Sequence, residues 1–90
     1  MPTIHIIVSG KVRGVFYRVT AKEVADKIGI TGWVKNTKEG NVEILASGDE
    51  AGLEEFTSWC RKGPSRSIVE NVDITPAPNE KHESFSVHRG

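Results

Sequence analysis

Apolar residues in this chain repeat every second residue, then every third and fourth, then every second again, and this alternation of period limits the folds open to it. Ile4, Ile6 and Val8 alternate with Thr3, His5 and Ser9, the pattern of a strand with one buried face. From Val19 onward the period changes: Ala21, Val24, Ala25 and Ile28 fall at i, i+3, i+4 and i+7, with Lys22, Glu23, Asp26 and Lys27 on the other side. That spacing predicts an amphipathic helix, with Gly29 as its left-handed cap. Gly32 opens an extended segment, "WVKNT", "KEGN" marks a turn, and Val42, Ile44 and Ala46 alternate with Glu43, Leu45 and Ser47. Residues 33–47 therefore read as a hairpin. Asp49 is placed to cap a second helix that carries Leu53, Phe56 and Cys60 and ends near residue 62, where Arg61 and Lys62 suit the dipole and Gly63-Pro64 stop the run. Ile68, Val72 and Ile74 alternate in a fourth strand, "PAPNEKHE" reads as a polar loop, and Phe85 and Val87 predict a short closing strand.

The order βαββαβ plus a short C-terminal strand is the split βαβ arrangement. It predicts an α+β, ferredoxin-like sandwich with two helices packed on one face of a mainly antiparallel sheet. Ninety residues bury only about 60–65% of their unfolded surface, so one core and one domain over residues 1–90 are expected. Twelve Lys and Arg balance twelve Asp and Glu, so the net charge of zero draws the chain to neither nucleic acid nor an anionic membrane. Cys60 is the only cysteine, which excludes an internal disulfide framework and a Cys pair for zinc, and points to a reducing cytoplasm. "TIHIIVS" is too short for a signal-peptide core, and no apolar run approaches the ~20 residues of a membrane span. A ferredoxin-like fold serves many functions, so function has to be read from local chemistry.

The stretch between the first strand and the first helix, "GKVRGVFYR", offers such chemistry. Gly10 and Gly14 let successive backbone N–H groups turn inward as an anion-binding nest. Arg18 falls in the first helical turn, where free N–H groups and the positive dipole end already favour an anion. A guanidinium there completes a phosphate-sized pocket. Taken by spacing alone, glycines in a tight connection beside a solvated arginine are the commoner situation. Neither GxGxxG nor the lysine-ending P-loop is present. "RGVFYRV" resembles the aromatic strand motif of RNA-recognition modules, but here Phe16 and Tyr17 directly precede a helix, and strand one holds no second aromatic motif.

"SGKVRGVFYR" followed by "GWVKNTKEGNVEI" closely resembles the acylphosphatases, small enzymes that hydrolyse carboxyl-phosphate mixed anhydrides, and the resemblance runs through essentially the whole chain. It implies a ferredoxin-like fold and a monomer without metal or cofactor. It implies a small-molecule acyl phosphate as substrate and inorganic phosphate as product. It also implies that Arg18 is the phosphate-binding arginine and that Asn36 positions the attacking water. The cradle is then built by backbone N–H groups of Arg13, Gly14, Val15, Phe16 and Tyr17. From spacing alone, Asn36 is a polar residue approaching a hairpin, and only its pairing with the loop assigns it a role. The chain departs from the family at Arg13, where glutamine is usual, and at its end, where Val87 is followed by His88 and Arg89. Arg13 is expected to face solvent.

Acylphosphatase-like domains also begin larger hydrogenase-maturation carbamoyl transferases. With 90 residues and no further domain, a stand-alone hydrolase is the preferred expectation, and an RNA-binding module comes last. Thr37 reads as a strand-surface residue rather than a brace for Asn36. His5, His82 and His88 read as surface residues without metal-ligand spacing, Cys60 as a buried, inert thiol, and Trp33 and Trp59 as core or core-edge residues.

Overall fold

A computed structural model describes residues 1–88; Arg89 lies outside the described residues. Its elements are β1 (Thr3–Lys11), α1 (Tyr17–Ile28), β2 (Thr31–Asn36), β3 (Val42–Ser47), α2 (Glu50–Lys62), β4 (Ile68–Ala77) and β5 (Phe85–Val87). The sheet order is β4-β1-β3-β2-β5, antiparallel throughout except for the parallel pair β2 and β5. Helix α1 lies against β2 and β5, α2 lies against β4, and the helices touch each other, so both cover one face. This is the expected ferredoxin-like sandwich.

Burial follows the two periods in β1, β2, β3 and the helices, whereas Ile68 and Ile74 of the edge strand β4 stay exposed. Ile6, Val8, Val34, Val42, Ile44 and Ala46 send one sheet face into the core, where Ala21 and Ala25 of α1 and Leu53, Phe56 and Cys60 of α2 meet them. Gly29 adopts φ 93° and its N–H donates to the Ala25 carbonyl, ending α1 as its position predicts. The Asp49 carboxylate accepts from the Gly52 N–H at 2.7 Å and caps α2.

Strand β4 runs further than its apolar pattern implies. Pro76 and Ala77 belong to it, opposite Ile4 and Thr3, so the polar loop starts at Pro78. Pro76 is tolerated because β4 is an edge strand with a side that needs no ladder donor. Trp33 faces away from the helices, since its neighbour Val34 occupies the core side. There it stacks on His88, 5.6 Å between ring centroids, with the Lys35 ammonium 5.1 Å from its own ring. Leu45 pairs with both His5 and Trp33 on that face and is buried by them. The histidines have partners: His5 Nε2 lies 2.6 Å from Glu43 and His82 Nε2 lies 3.0 Å from Glu80.

Register brings the functional ends together. Val42, at the start of β3, pairs with both Val8 and Asn36, so the C-terminal ends of β1 and β2 reach the same end of the sheet. A register shift between Ser9 and Gly10 bends the pairing of β1 with β4 immediately before the loop. Gly32 has φ 135°, and a Cβ there would run into the Leu45 carbonyl oxygen of the neighbouring strand. Gly32→Ala is therefore expected to lower stability by about 3 kcal/mol or more, through overpacking plus backbone strain. Urea denaturation with a midpoint within error of wild type would contradict this.

Candidate active site

The loop from β1 to α1 makes its turn with two residues in the left-handed region. Gly14 has φ 70° and Phe16 has φ 62° and ψ 27°. Glycine occupies this region freely, whereas an aromatic residue pays about 1–2 kcal/mol for it. Phe16 is the N-cap of α1 and makes no side-chain cap, and the first turn holds no acidic residue. Its carbonyl accepts from the Thr20 N–H at 3.0 Å and the Thr20 hydroxyl at 2.8 Å. Among the described residues, the N–H groups from Arg13 through Val19 donate to no backbone or side-chain acceptor. A run of unpaired donors at an uncapped helix start is an anion-binding feature.

A cleft of about 310 Å³ collects the expected residues: Arg13, Gly14, Phe16, Tyr17, Arg18 and Asn36 all line it. Val12 and Val19 complete the wall. Val15 does not line the cleft; its side chain is buried in the core and anchors the loop from beneath. Tyr17 is likewise anchored, its hydroxyl donating to the Cys60 carbonyl at 2.8 Å while its ring packs 5.0 Å from Trp59. Phe16 remains exposed at the helix start rather than on a strand face. That placement differs from the sheet platform of RNA-recognition modules.

Arg18 is oriented by the chain end. Its Nη1 donates to the His88 carbonyl at 2.7 Å, and His88 is held by its N–H on the Val34 carbonyl at 2.8 Å and by its stack on Trp33. One turn further, Lys22 Nζ donates to the Phe85 carbonyl at 2.9 Å, so α1 is clipped once to β5 and once to the residue that follows it. Sequence reasoning missed this clip, because a backbone carbonyl acceptor leaves no residue-type signal.

Asn36 ends β2 on the core side and brings its amide to the cleft, where Oδ1 is buried and has no hydrogen-bond partner among the described residues. Burying an acceptor unpaired costs about 1–3 kcal/mol, so the atom is suited to a water or a ligand. Thr37 is not its brace and not a strand residue. Its hydroxyl accepts from the Asn41 N–H at 3.1 Å and closes the β2–β3 turn. Arg13 is exposed and, among the described residues, has no ion pair; its stem passes beside Gly40 of that turn.

The family model described as Acylphosphatase matches residues 4–87, which include the whole cleft. The chain belongs to the acylphosphatase family. It is 43% identical over 74 residues to the acylphosphatase of Marinobacter nauticus, covering 82% of this chain and 80% of that one. The crystal structure of the acylphosphatase from Bacillus subtilis superposes with a TM-score of 0.94 at 39% identity, covering 98% and 99% of the two chains. Full-length HypF carries the same fold in 12% of its length, TM-score 0.86 at 21% identity, a likeness of fold alone. Acylphosphatase membership and the five-stranded, two-helix architecture thus agree. Among the described residues no helix is long and apolar enough to cross a membrane, and no group of three or more His, Cys, Asp or Glu is placed to hold a metal.

Cys60 takes no part in the cleft. Burial pushes its thiol up to about 12, and the Tyr17 hydroxyl beside it is raised as well, mainly by burial. A thiol kept neutral this way is no nucleophile at pH 8. The native protein is expected to resist iodoacetamide at pH 8 and to react fully once unfolded; rapid labelling of the folded chain would contradict it. Both groups stay protonated in the fold while the unfolded chain ionises near its ordinary values. The contribution of Cys60 to stability is therefore complete below about pH 9 and is lost as pH rises toward about 12, while that of Tyr17 falls in the same direction at higher pH.

Proposed function

We propose that the cleft is the active site of an acyl phosphate hydrolase in which the loop N–H groups and Arg18 hold the phosphoryl oxygens and Asn36 orients the attacking water. One observation carries the reading: unpaired N–H donors, a guanidinium held at 2.7 Å by His88 and a partnerless Asn36 Oδ1 converge on one cleft. Acyl phosphates carry a good leaving group, so catalysis is mostly positioning and charge neutralisation. The cradle and Arg18 neutralise charge spread over the equatorial oxygens. Asn36 is too weak a base to deprotonate water but accepts one of its hydrogen bonds and aims its oxygen at phosphorus.

The water oxygen forms a bond to phosphorus, and the bond from phosphorus to the bridging oxygen breaks. That bridging oxygen and its electron pair leave with the carboxylate. The water proton passes to a phosphate oxygen, giving a carboxylate and dihydrogen phosphate from acyl phosphate and water. The reading treats residues 1–90 as one domain acting as a cytoplasmic monomer on a small molecule, without metal, cofactor, nucleic acid or membrane; the neutral net charge and single cysteine support it.

The test is hydrolysis of acetyl phosphate in water enriched in oxygen-18, with excess chelator. One label in the phosphate and none in the acetate, at an unreduced rate, is expected. Label in the acetate would mean attack at carbon, and loss of rate with chelator would mean a metal replaces part of the proposed charge neutralisation.

A further inference from the structure

The net charge of zero conceals an uneven distribution. The cleft lies at the C-terminal ends of β1 and β2, and register adds the start of β4 to that end, since Lys11 pairs with Ile68. Gly63 brings the end of α2 there too, because a Cβ on it would stand 3.1 Å from the Tyr17 ring. Four exposed cations ring this end: Lys11, Arg13, Lys38 and Arg66. Lys11 directly precedes Val12 of the cleft wall, Lys38 follows Asn36 and Thr37, and the Arg13 stem passes beside Gly40. Among the described residues none of the four forms an ion pair. The acids gather at the opposite end. Thr3 pairs with both Ser47 and Ala77, so the start of α2 and the loop after β4 meet there with the exposed carboxylates of Asp49, Glu50, Glu80 and Glu83. Part of this pattern serves α2, whose dipole suits Glu50 in its first turn and Arg61 and Lys62 in its last. Lys11, Arg13, Lys38 and Arg66 stand on a strand end and on connections, where no helix C-terminus calls for them. They crowd positive charge around the positive end of α1, which is unfavourable until an anion arrives.

We propose that Lys11, Lys38 and Arg66, together with Arg13, form an electrostatic funnel that draws the anionic substrate to the cleft and sets kcat/KM without touching the reacting atoms. This deepens the acyl phosphate reading and rests on it. A phosphoryl group carries about two negative charges near neutral pH, and a field of one sign around a cleft raises the rate at which such an ion arrives. Exposed cations act through water and not through a fixed geometry, so their attraction fades as salt screens it. They favour bound substrate and transition state alike, which places their effect in KM and leaves kcat unchanged.

The experiment measures kcat and KM for acetyl phosphate at ionic strengths of about 10 mM and about 1 M. Between them the Debye length falls from about 30 Å, matching the 30 Å long axis of the molecule, to about 3 Å. Two double variants remove the same net charge: Lys11→Gln with Lys38→Gln at the cleft end, and Lys27→Gln with Lys81→Gln at the other. Unit charges on the order of 10 Å from a dianion in water give the first variant about a fivefold fall in kcat/KM at low salt, and charges about 25 Å away give the second less than about twofold. In both, kcat should stay within about twofold of wild type, and at about 1 M salt all three proteins should converge to within about twofold in kcat/KM. Wild type itself should lose about tenfold or more in kcat/KM between the two salts. Arg66→Glu changes the charge by two units at one position, should match the first double variant, and supplies the test if that variant does not fold. A cleft-end variant equal to wild type at low salt, equal losses in the two double variants, or a loss carried by kcat would overturn the funnel. Failure of wild type to hydrolyse acetyl phosphate would sink the acyl phosphate reading itself, whereas turnover whose kcat/KM ignores salt sinks the funnel alone.

Discussion

Arg18→Gln is expected to lose activity on acetyl phosphate by about 10³-fold or more, the range seen when a single arginine stabilises a phosphoryl group in flight. The same substitution should remove most of the rise in melting temperature that inorganic phosphate gives the wild type. A ligand selective for the native state stabilises by RT ln(1 + [L]/Kd), about 2.7 kcal/mol at a hundred times Kd. Losing the guanidinium removes the planar, bidentate donor, and glutamine has neither its charge nor its geometry. The fold itself should survive, because Arg18 is half-exposed and its one side-chain bond among the described residues, to the His88 carbonyl, is worth about 1 kcal/mol. Retention of both activity and the phosphate shift would remove Arg18 from the site.

Asn36→Ala should also lose activity, by about 10²-fold or more, the effect of deleting one preorganised hydrogen-bonding group. Its stability should change little or rise. The amide oxygen is buried without a partner, so alanine removes a desolvated acceptor along with the side chain's few contacts. Steady-state kinetics and a urea melt of one purified variant measure both. Full activity would mean that Asn36 places no water, and a large loss of stability would mean that its role is structural.

The helices and four of the strands are legible in the sequence because each carries a period that only one backbone geometry buries on one side: Ile4, Ile6 and Val8 for β1, and Ala21, Val24, Ala25 and Ile28 for α1. The cleft is partly legible for a different reason. Gly14 and Arg18 suit an anion nest but by spacing alone suit a plain loop as well, and Asn36 is singled out only by its pairing with that loop; the pairing of Val42 with both Val8 and Asn36 then sets loop and amide at one end of the sheet. What stayed hidden depends on contacts between distant segments. Pro76 reads as a loop residue until β4 is known to be an edge strand. Trp33 reads as core or core-edge, and which face of the sheet it takes, with His88 over its ring, depends on Val34 taking the core side. The left-handed φ of Phe16 breaks the usual residue preference outright, so no local rule foretells it. Thr37 looks like a strand residue because its turn-closing bond to Asn41 depends on where the hairpin bends.

The central claim is a division of labour, with Arg18 and the loop holding the anion and Asn36 placing water. Titration of inorganic phosphate into wild type, Arg18→Gln and Asn36→Ala by calorimetry tests it most directly. Asn36→Ala is expected to bind phosphate within about threefold of wild type despite its ~10²-fold loss of turnover, while Arg18→Gln binds at least about tenfold more weakly. Asn36→Ala losing phosphate affinity in step with activity, or Arg18→Gln binding phosphate as wild type does, would contradict it.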